Sequence, residues 1–359
     1  MSNQQIGYGD GSSGRTTRRA LVLVGGMLVT LVVVAGLLIA GPIRNLLGGG
    51  SDYSGEGSGS VLVVVHPGDS ASTIGSTLSD AGVVRSSGAF ATAASANPRS
   101  RGIQPGTYRL RRHMKASFAL ALMLKPSSLV SYRVTIPEGF TSAAIVARLA
   151  AETPISAASL QDALAHPTTL GLPGYAHGRV EGFLFPATYD IQPGETATQA
   201  LSAMVTRYKQ AAGQVRLAAA ARRVGLSPYA VLTLASIVQR EGLLVSDYPR
   251  IAEVFVNRLH DQMPLGSDAT LYYVLGPNHG PLTASDLQLN SPYNTRLNVG
   301  LPPTPINSPG AAALDAVLHH PAGPLLYFVT IDKAGHTAFA TNLARFNQLV
   351  AESRANGVS

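Results

Sequence analysis

The sequence predicts an α+β protein with one N-terminal transmembrane helix, a small α+β module and a larger mixed α/β domain. An uncharged apolar segment lies near the N-terminus, and a strand–turn–helix pattern occurs twice after it. Amphipathic helical segments then alternate with short apolar strands and irregular polar loops. The length of 359 residues suits about two domains with additional segments, and a hydrophobic content of 45% is ample for their cores.

The N-terminal segment predicts a membrane anchor. Residues 20–41 are 22 positions without a charged side chain, long enough to cross a bilayer of about 30 Å. Three arginines precede them directly, so the positive-inside rule places residues 1–19, a polar and disordered tail, in the cytoplasm. A cleaved signal peptide has an apolar core of only roughly 7–15 residues. We therefore expect a retained single-pass helix, with the remaining chain outside the cytoplasm.

A Gly/Ser-rich stretch, residues 42–60, predicts a flexible linker before the folded part of the chain. The first module then opens with an apolar β-type run, a Pro-Gly turn and a helix that Ser70 can cap. The same pattern returns 71 residues later at Tyr132–Ala150. We interpret it as a weak internal repeat, and predict a small module over residues 61–128 and a larger domain over residues 129–359.

Within the larger domain, a compact aromatic turn, EGFLFP at residues 181–186, precedes a long amphipathic helix around Ala200–Arg216. Two further stretches, residues 263–276 and 291–310, are irregular and polar. Long polar segments of this kind are more often site-forming loops than idle connectors. The chain closes with a helix, the apolar strand LLYFVTI and a last helix.

Leu226–Gly242 predicts one buried helix that ends in a carboxylate. Ser227 suits the N-cap and Pro228 the first helical position. The apolar stripe has helical spacing and comprises Val231, Leu234, Ala235 and Val238. At about 100° per residue, Glu241 falls on this apolar face, and Gly242 is expected to end the helix.

Burial gives Glu241 a candidate chemical role. A buried carboxylate tends to have a raised pKa, so it stays protonated near neutrality and can serve as a general acid and base. The alternative is a purely structural ion pair with Arg240 or Arg258, since such pairs also shift pKa values. Periodicity alone does not decide between them.

Composition excludes several function classes. The absence of cysteine removes disulfides, thiolate catalysis and cysteine metal sites. The net charge of +7 favours an anionic polymer or a headgroup surface as partner, whereas no nucleic-acid motif is present. His319 and His320 are adjacent, which is poor geometry for joint ligation, so we expect no metal and no cofactor.

Several ordered motifs resemble one family. The segments are EGFLFPATY, ASIVQREG, VFVNRL, PLGSDATLYYVLG, SPYNTRLNVGLPPTPINSPG and YFVTIDKAGHTAFATNLARFN. Together they closely resemble the endolytic murein transglycosylases of the MltG/YceG-like family, over essentially Val61–Val350. The resemblance also includes the plan of an N-terminal anchor and linker.

The resemblance implies a lyase that cuts the β-1,4 bond between N-acetylmuramic acid and N-acetylglucosamine in peptidoglycan, leaving a 1,6-anhydro end. The catalytic glutamate of the family falls on Glu241, and the first module corresponds to a LysM-like module. Anchoring in the bacterial cell membrane, action on nascent glycan and association with glycan polymerases or penicillin-binding proteins are also implied. Glu241 would act first as acid and then as base.

Polar residues of the matched loops are predicted to contact the sugar. They are Ser267, Asp268, Thr270, Tyr293, Asn294, Thr295 and Glu181. Turn formation is the alternative for the loop residues, since Asn, Asp and Ser favour turns. The carboxylate of Glu181 either faces the cleft or caps its turn.

Two rival function classes stay open. One is a non-catalytic scaffold that binds peptidoglycan and recruits cell-wall synthases, for which Glu241 would be dispensable. The other is a hydrolytic muramidase, which needs a second carboxylate at ~5–5.5 Å or ~6.5–9.5 Å from the first. Asp268 is the acid in a matched loop that could fill this role.

The chain departs from the family pattern at four positions. They are Gln239 in place of Glu, Gly242 in place of Thr, Ala187 in place of Asp and Arg296 in place of Tyr. The departures bear on the binding of individual sugars rather than on the single catalytic carboxyl.

Overall fold

The structure, a computed structural model, describes residues 51–358. This part of the chain forms two compact units. The boundary along the chain falls between Val130 and Ser131, two residues from the predicted boundary. The predicted tail, the predicted span at 20–41 and the first part of the predicted linker lie outside the described residues. Within residues 51–358, no helix is long and apolar enough to cross a membrane.

The first unit is a two-stranded antiparallel sheet with helices on one face. Its elements are β1 (Ser58–Val65), α1 (Ala71–Asp80), α2 (Ser87–Ser95), β2 (Gly106–Arg112) and α3 (Ala116–Met123). Val63 lies opposite Tyr108, and both side chains join the core beneath the helices. Leu62 and Val64 alternate with the buried valines and face solvent.

Residues 52–56, which the sequence places in the flexible linker, contact the first unit. Asp52 accepts the N–H of Ala116 at the start of α3, at 3.0 Å. Lys115 N–H donates to the carbonyl of Gly55 at 2.9 Å, and Arg111 pairs with Glu56 at 3.1 Å. The unit therefore begins several residues before Val61, and β1 itself begins at Ser58.

The second unit is mixed and mainly helical. Its elements are β3 (Tyr132–Thr135), α4 (Ser142–Glu152), α5 (Ala157–Ala165), β4 (Thr188–Ile191), α6 (Ala197–Gln214), α7 (Leu217–Arg223), α8 (Pro228–Glu241), α9 (Tyr248–His260), α10 (Asp268–Leu275), α11 (Ala284–Leu287), α12 (Ala311–Leu318), β5 (Tyr327–Thr330), β6 (Thr337–Ala340) and α13 (Leu343–Ala355). Strands β3 and β4 pair antiparallel, as do β5 and β6. The α+β class predicted from the sequence is confirmed.

The predicted repeat is visible as local geometry. Ser70 Oγ accepts the N–H of Thr73 at the start of α1, and Thr141 Oγ1 accepts that of Ala144 at the start of α4, both at 3.1 Å. The glycine of each turn has a positive φ, +87° at Gly68 and +78° at Gly139. The two sequences thus encode the same strand–turn–helix conformation.

Helix α8 is the centre of the second unit. Residues 231–238 are buried without interruption, because α7, α9, α10 and α12 pack around the helix. Ser227 Oγ accepts the N–H of Ala230 at 3.1 Å, so the predicted N-cap is confirmed. Glu241 is the last residue of this helix and follows its buried part.

Gly242 follows the helix for a reason other than the one predicted. Its φ is −85°, so no left-handed cap requires a glycine there. A Cβ at this position would instead lie 2.5 Å from the ring of Tyr248. The departure from the family pattern is therefore a packing adaptation that lets the aromatic ring approach the backbone.

Candidate active site

Glu241 is the last residue of α8 and is half-buried. Ser267 Oγ donates to its Oε1 at 2.5 Å, and the backbone N–H of Ala269 donates to the same carboxyl group. Burial raises the pKa of Glu241 above its usual range, and the charge of Asp268 raises it further. The donors Ser267 and Ala269, together with the Arg296 charge, act in the opposite direction without cancelling the rise.

The structural ion pair considered for Glu241 is not formed among the described residues. Arg258 donates to the carbonyls of Leu326 and Leu265, at 2.7 and 2.6 Å. Arg240 is exposed and lines a cleft. The donors to Glu241 are a neutral hydroxyl and a backbone N–H, so no ion pair holds the carboxyl in its charged form.

A buried polar network positions Ser267. Its backbone N–H donates to Thr295 Oγ1 at 3.1 Å, and its carbonyl accepts Thr270 Oγ1 at 2.7 Å. The Thr270 and Thr295 hydroxyls lie 3.0 Å apart, and both residues are almost fully buried. Fully satisfied buried networks of this kind fix one conformation. Ser267 is therefore presented to Glu241 by a rigid support.

Asn294 and Tyr293 belong to the same support. The Asn294 amide donates to the carbonyls of Leu287 and Leu289, at 3.1 and 2.9 Å. The Tyr293 hydroxyl lies 2.8 Å from Thr304 Oγ1, and the ring packs against Tyr273. The sugar contacts predicted for Thr270, Tyr293, Asn294 and Thr295 stay predictions, and the structure gives these residues a supporting role in addition.

Asp268 is the first residue of α10 and lies close to Glu241. It stands between Ser267 and Ala269, the two donors to Glu241. Its own carboxylate pairs with Arg296 at 2.5 Å, and both side chains are partly exposed. The departure at Arg296 thus supplies the counter-ion of the acid next to Glu241.

Glu181 combines the two alternatives considered for it, with one addition. Its carboxylate accepts the N–H of Ser142 at 3.0 and 3.2 Å and so caps the start of α4, in addition to accepting the N–H of Gly182 in its own turn. The Tyr273 hydroxyl donates to it at 3.3 Å. Burial raises the pKa of Glu181 to about 7, although the Ser142 N–H lowers it. The residue also lines the cleft.

The cleft has a volume of about 840 Å³. One wall is α4, with Ala143, Ala144 and Ala147, and another is α10, with Tyr272 and Tyr273. Its lining also contains Arg240 and Ala269, the chain neighbour and a hydrogen-bond donor of Glu241. Small side chains opposite aromatic rings, with few polar groups, are typical of a pocket that receives a sizeable ligand.

Gln239 is a site-forming residue that the sequence marked only as a departure. Its amide nitrogen donates to the Tyr248 hydroxyl and its oxygen accepts the N–H of Gly310, both at 2.9 Å. A Gln can donate and accept at once, whereas an ionised Glu can only accept. One turn earlier, Ser236 Oγ accepts the N–H of Ile306 at 3.0 Å. The end of α8 is thus clamped to the segment 306–310.

Residues 51–358 contain no group of three or more His, Asp or Glu side chains arranged to hold a metal ion. The polar groups that define the site are Glu241, its hydroxyl and amide donors, and the Asp268–Arg296 pair.

Comparisons with known proteins identify a family and several relatives. A model of the YceG-like family matches residues 63–352. An endolytic murein transglycosylase of Bacillus subtilis is 30% identical over 304 residues, covering 80% of this chain and 83% of that protein. One of Streptococcus pneumoniae is 30% identical over 338 residues, where the chain spans 58% of the relative's length.

A solved structure is also similar. The crystal structure of a yceG-like protein from Listeria monocytogenes has 28% sequence identity and a TM-score of 0.57. The likeness covers 81% of this chain and 99% of the Listeria chain. It therefore extends through both units rather than only one of them.

Proposed function

The chain belongs to the YceG-like family, and we propose that it is an endolytic lytic transglycosylase, a lyase that cuts peptidoglycan glycan strands. The observation that carries the proposal is Glu241, a carboxyl with a raised pKa at the end of a rigid buried helix, held by a hydroxyl beside a cleft. The relatives named endolytic murein transglycosylase supply the substrate class.

In the first step, protonated Glu241 donates its proton to the oxygen that links N-acetylmuramic acid to N-acetylglucosamine. The C1–O bond breaks, the N-acetylglucosamine side leaves as an alcohol, and positive charge develops on the muramoyl ring. Ser267 and the N–H of Ala269 stabilise the carboxylate that forms, because each donates a hydrogen bond to it.

In the second step, the Glu241 carboxylate takes the proton of the C6 hydroxyl on the same muramoyl ring. The C6 oxygen attacks C1 and closes a 1,6-anhydro ring, which regenerates protonated Glu241. No water enters the products, and one carboxyl suffices for both transfers. The engagement of Asp268 by Arg296 supports this route, since a muramidase needs a second carboxylate to activate water.

We place the enzyme at the bacterial cell membrane, with its N-terminus in the cytoplasm and residues 20–41 as its anchor. The first unit holds the chain from Asp52 onward, so about ten residues separate the span from folded protein and reach at most roughly 35 Å. Nascent glycan close to the membrane is then the natural substrate. Glycan polymerases or penicillin-binding proteins are the partners that such a location favours.

The first unit, in this proposal, is a LysM-like module that holds the glycan strand. Its sheet and helices form an independent core, which suits a binding module attached to a catalytic domain. Termination of nascent glycan chains would follow from endolytic cleavage near the site of synthesis.

The test is cleavage of uncrosslinked glycan strands by the full chain, with product ends identified by mass spectrometry. We expect anhydro-muramoyl ends from the wild type and from Glu352→Gln, an exposed Glu of α13, and none from Glu241→Gln. Equal cleavage by Glu241→Gln would overturn the assignment of the residue. Glycan binding without cleavage in all three proteins would leave the non-catalytic scaffold instead.

A further inference from the structure

Arg296 and Asp268 form a charged pair that the two-step mechanism does not use. Arg296 directs two nitrogens at one carboxylate oxygen of Asp268, Nη2 at 2.5 Å and Nε at 2.7 Å. The backbone at Asp268 is held beside Glu241, because its chain neighbours Ser267 and Ala269 both donate to the Glu241 carboxyl. The pair is therefore a close neighbour of the reacting group.

We propose that Arg296 is a positioning residue that neutralises Asp268 beside Glu241 and so sets the pH range over which Glu241 works as acid and base. The inference deepens the proposed function and rests on it, since it concerns the protonation of the same carboxyl. Arg296 itself touches Asp268 and not Glu241 in the structure.

The charges that face Glu241 come from three places. Asp268 stands at the start of α10, Arg296 in the loop after Asn294, and Arg258 on α9. Arg258 is fixed by its bonds to the carbonyls of Leu265 and Leu326, so its contribution is constant. Asp268 and Arg296 have opposite effects on the pKa of Glu241, and the effect of Asp268 is the larger.

Removing one member of the Asp268–Arg296 pair leaves only the effect of the other member on the pKa of Glu241. Without Arg296, the Asp268 anion raises the pKa of Glu241, because a second negative charge nearby disfavours ionisation. Without Asp268, the Arg296 cation lowers that pKa. Both side chains are partly exposed, so solvent screens both effects.

The sign of the kinetic effect follows from the mechanism. Cleavage begins from protonated Glu241, so the rate falls as pH rises through the pKa of this group. Arg296→Gln should move the alkaline limb of the pH–rate profile to higher pH, and Asp268→Asn should move it to lower pH. The double variant should have a midpoint between those of the two single variants, since both charges are absent.

The experiment records pH–rate profiles for anhydro-product formation by the full chain in these four forms. A purely structural role would lower the rate at every pH and would not move the midpoints in opposite directions. Thermal unfolding of each variant shows whether the fold is retained. Identical midpoints in all four proteins would overturn the inference while leaving the proposed function intact.

A second measurement does not depend on turnover. NMR titration of isotope-labelled glutamate carboxyl carbons, with Glu241→Gln to assign the signal, reports the Glu241 midpoint directly. We expect the same order, highest in Arg296→Gln and lowest in Asp268→Asn. If no form cleaves glycan, the proposed function fails, and the titration midpoints still decide whether the pair controls Glu241. Unmoved midpoints in both measurements contradict the proposal.

Discussion

Glu241 and Glu181 are two carboxyls of one domain with raised pKa values, and burial is the main cause in both. Their helical surroundings differ in part. Glu241 is the last residue of α8, where the dipole of its own helix disfavours a negative charge, but it also accepts the N–H of Ala269 in the first turn of α10, where a negative charge is favoured. Glu181 accepts the first N–H of α4, where the dipole favours a negative charge. The anion of Glu241 therefore lies between two helix ends of opposite effect, whereas the helix end at Glu181 favours its anion.

From this difference we assign the two carboxyls different roles, Glu241 in the reaction and Glu181 in holding the fold together. Glu181 binds a backbone N–H and a tyrosine hydroxyl, so it ties its own turn to α4 and α10. Glu241 binds a hydroxyl and one N–H at the start of α10, beside residues that line the cleft. A raised pKa alone does not identify an acid–base catalyst. The donors around the carboxyl and its route to a ligand complete the assignment.

The largest expected effect is a difference in cleavage rate between variants of the two carboxyls. Glu241→Gln should lower the cleavage rate about 1000-fold or more, because general acid–base catalysis contributes about 10²–10⁴-fold. Glu181→Gln should lower it less than about tenfold, because an amide oxygen still accepts the Ser142 N–H. Parallel rate measurements on glycan strands check this. Equal losses in both variants would mean that Glu181 shares the proton transfers.

Each of the two glutamates precedes a glycine, and replacing these two glycines should lower the stability of the protein by different amounts. A Cβ at Gly182 would lie 2.6 Å from Pro305, and the φ of +89° adds backbone strain. At Gly242 a Cβ would lie 2.5 Å from the Tyr248 ring and 3.2 Å from Ile251 Cδ1, and φ is ordinary. We expect Gly182→Ala to destabilise the protein by about 3 kcal/mol or more and Gly242→Ala by about 1–3 kcal/mol.

Urea unfolding measures both losses. Gly213→Ala is the matched control, because Gly213 lies inside α6 with open space around it. That substitution should be neutral or stabilise by about 0.5–1 kcal/mol. A loss at Gly242 that equals or exceeds the loss at Gly182 would show that the contact with Tyr248 dominates over backbone strain.

A smaller effect is expected at Ser267, which donates a hydrogen bond to Glu241. Ser267→Ala removes the hydroxyl that donates at 2.5 Å, so the carboxylate formed in the first step is less stable and the pKa of Glu241 rises. The rate should fall about tenfold, and the alkaline limb should move to higher pH. Ser236→Ala is the control, since it removes an equally buried hydroxyl that binds backbone groups. An unchanged limb in Ser267→Ala would contradict the assigned role.

The smallest expected effect concerns Glu181 and pH. Its pKa rises on folding from 4.5 to about 7, so the protonated form is favoured in the folded state. The stability linked to this group is therefore complete below pH ~4.5 and is lost as pH rises through about 7. The shift sets an upper limit of about 3 kcal/mol, and we expect about 1–2 kcal/mol after screening. Glu181→Gln should flatten this part of the pH–stability curve, measured by urea unfolding.

Local features of the sequence predict local features of the structure. The cap at Ser227, the buried face of α8, the position of Glu241 on it and the repeated turn glycines all follow from spacing and residue type. These signals need no knowledge of distant contacts. The α+β class follows in the same way from the alternation of helical and strand patterns.

Contacts between distant segments could not be predicted in this way. Glu181 meets Ser142 across 39 positions, and Gln239 meets Gly310 across 71. Polar residues such as Asn294 and Thr295 resemble a surface loop in sequence, yet they are buried because their partners are the hydroxyls and carbonyls of other loops. The types and spacing of residues along the sequence do not indicate which distant segments come into contact.

The central claim, that one carboxyl acts as acid and then as base without water, has a direct test. Glycan strands are cleaved by the full chain in water enriched in the heavy oxygen isotope, and the new ends are weighed by mass spectrometry. If Glu241 performs both proton transfers, the new ends lack solvent oxygen and are one water lighter than reducing ends. Incorporation of one solvent oxygen per cut would contradict the claim, and would assign a second group, with Asp268 the first candidate, to the activation of water.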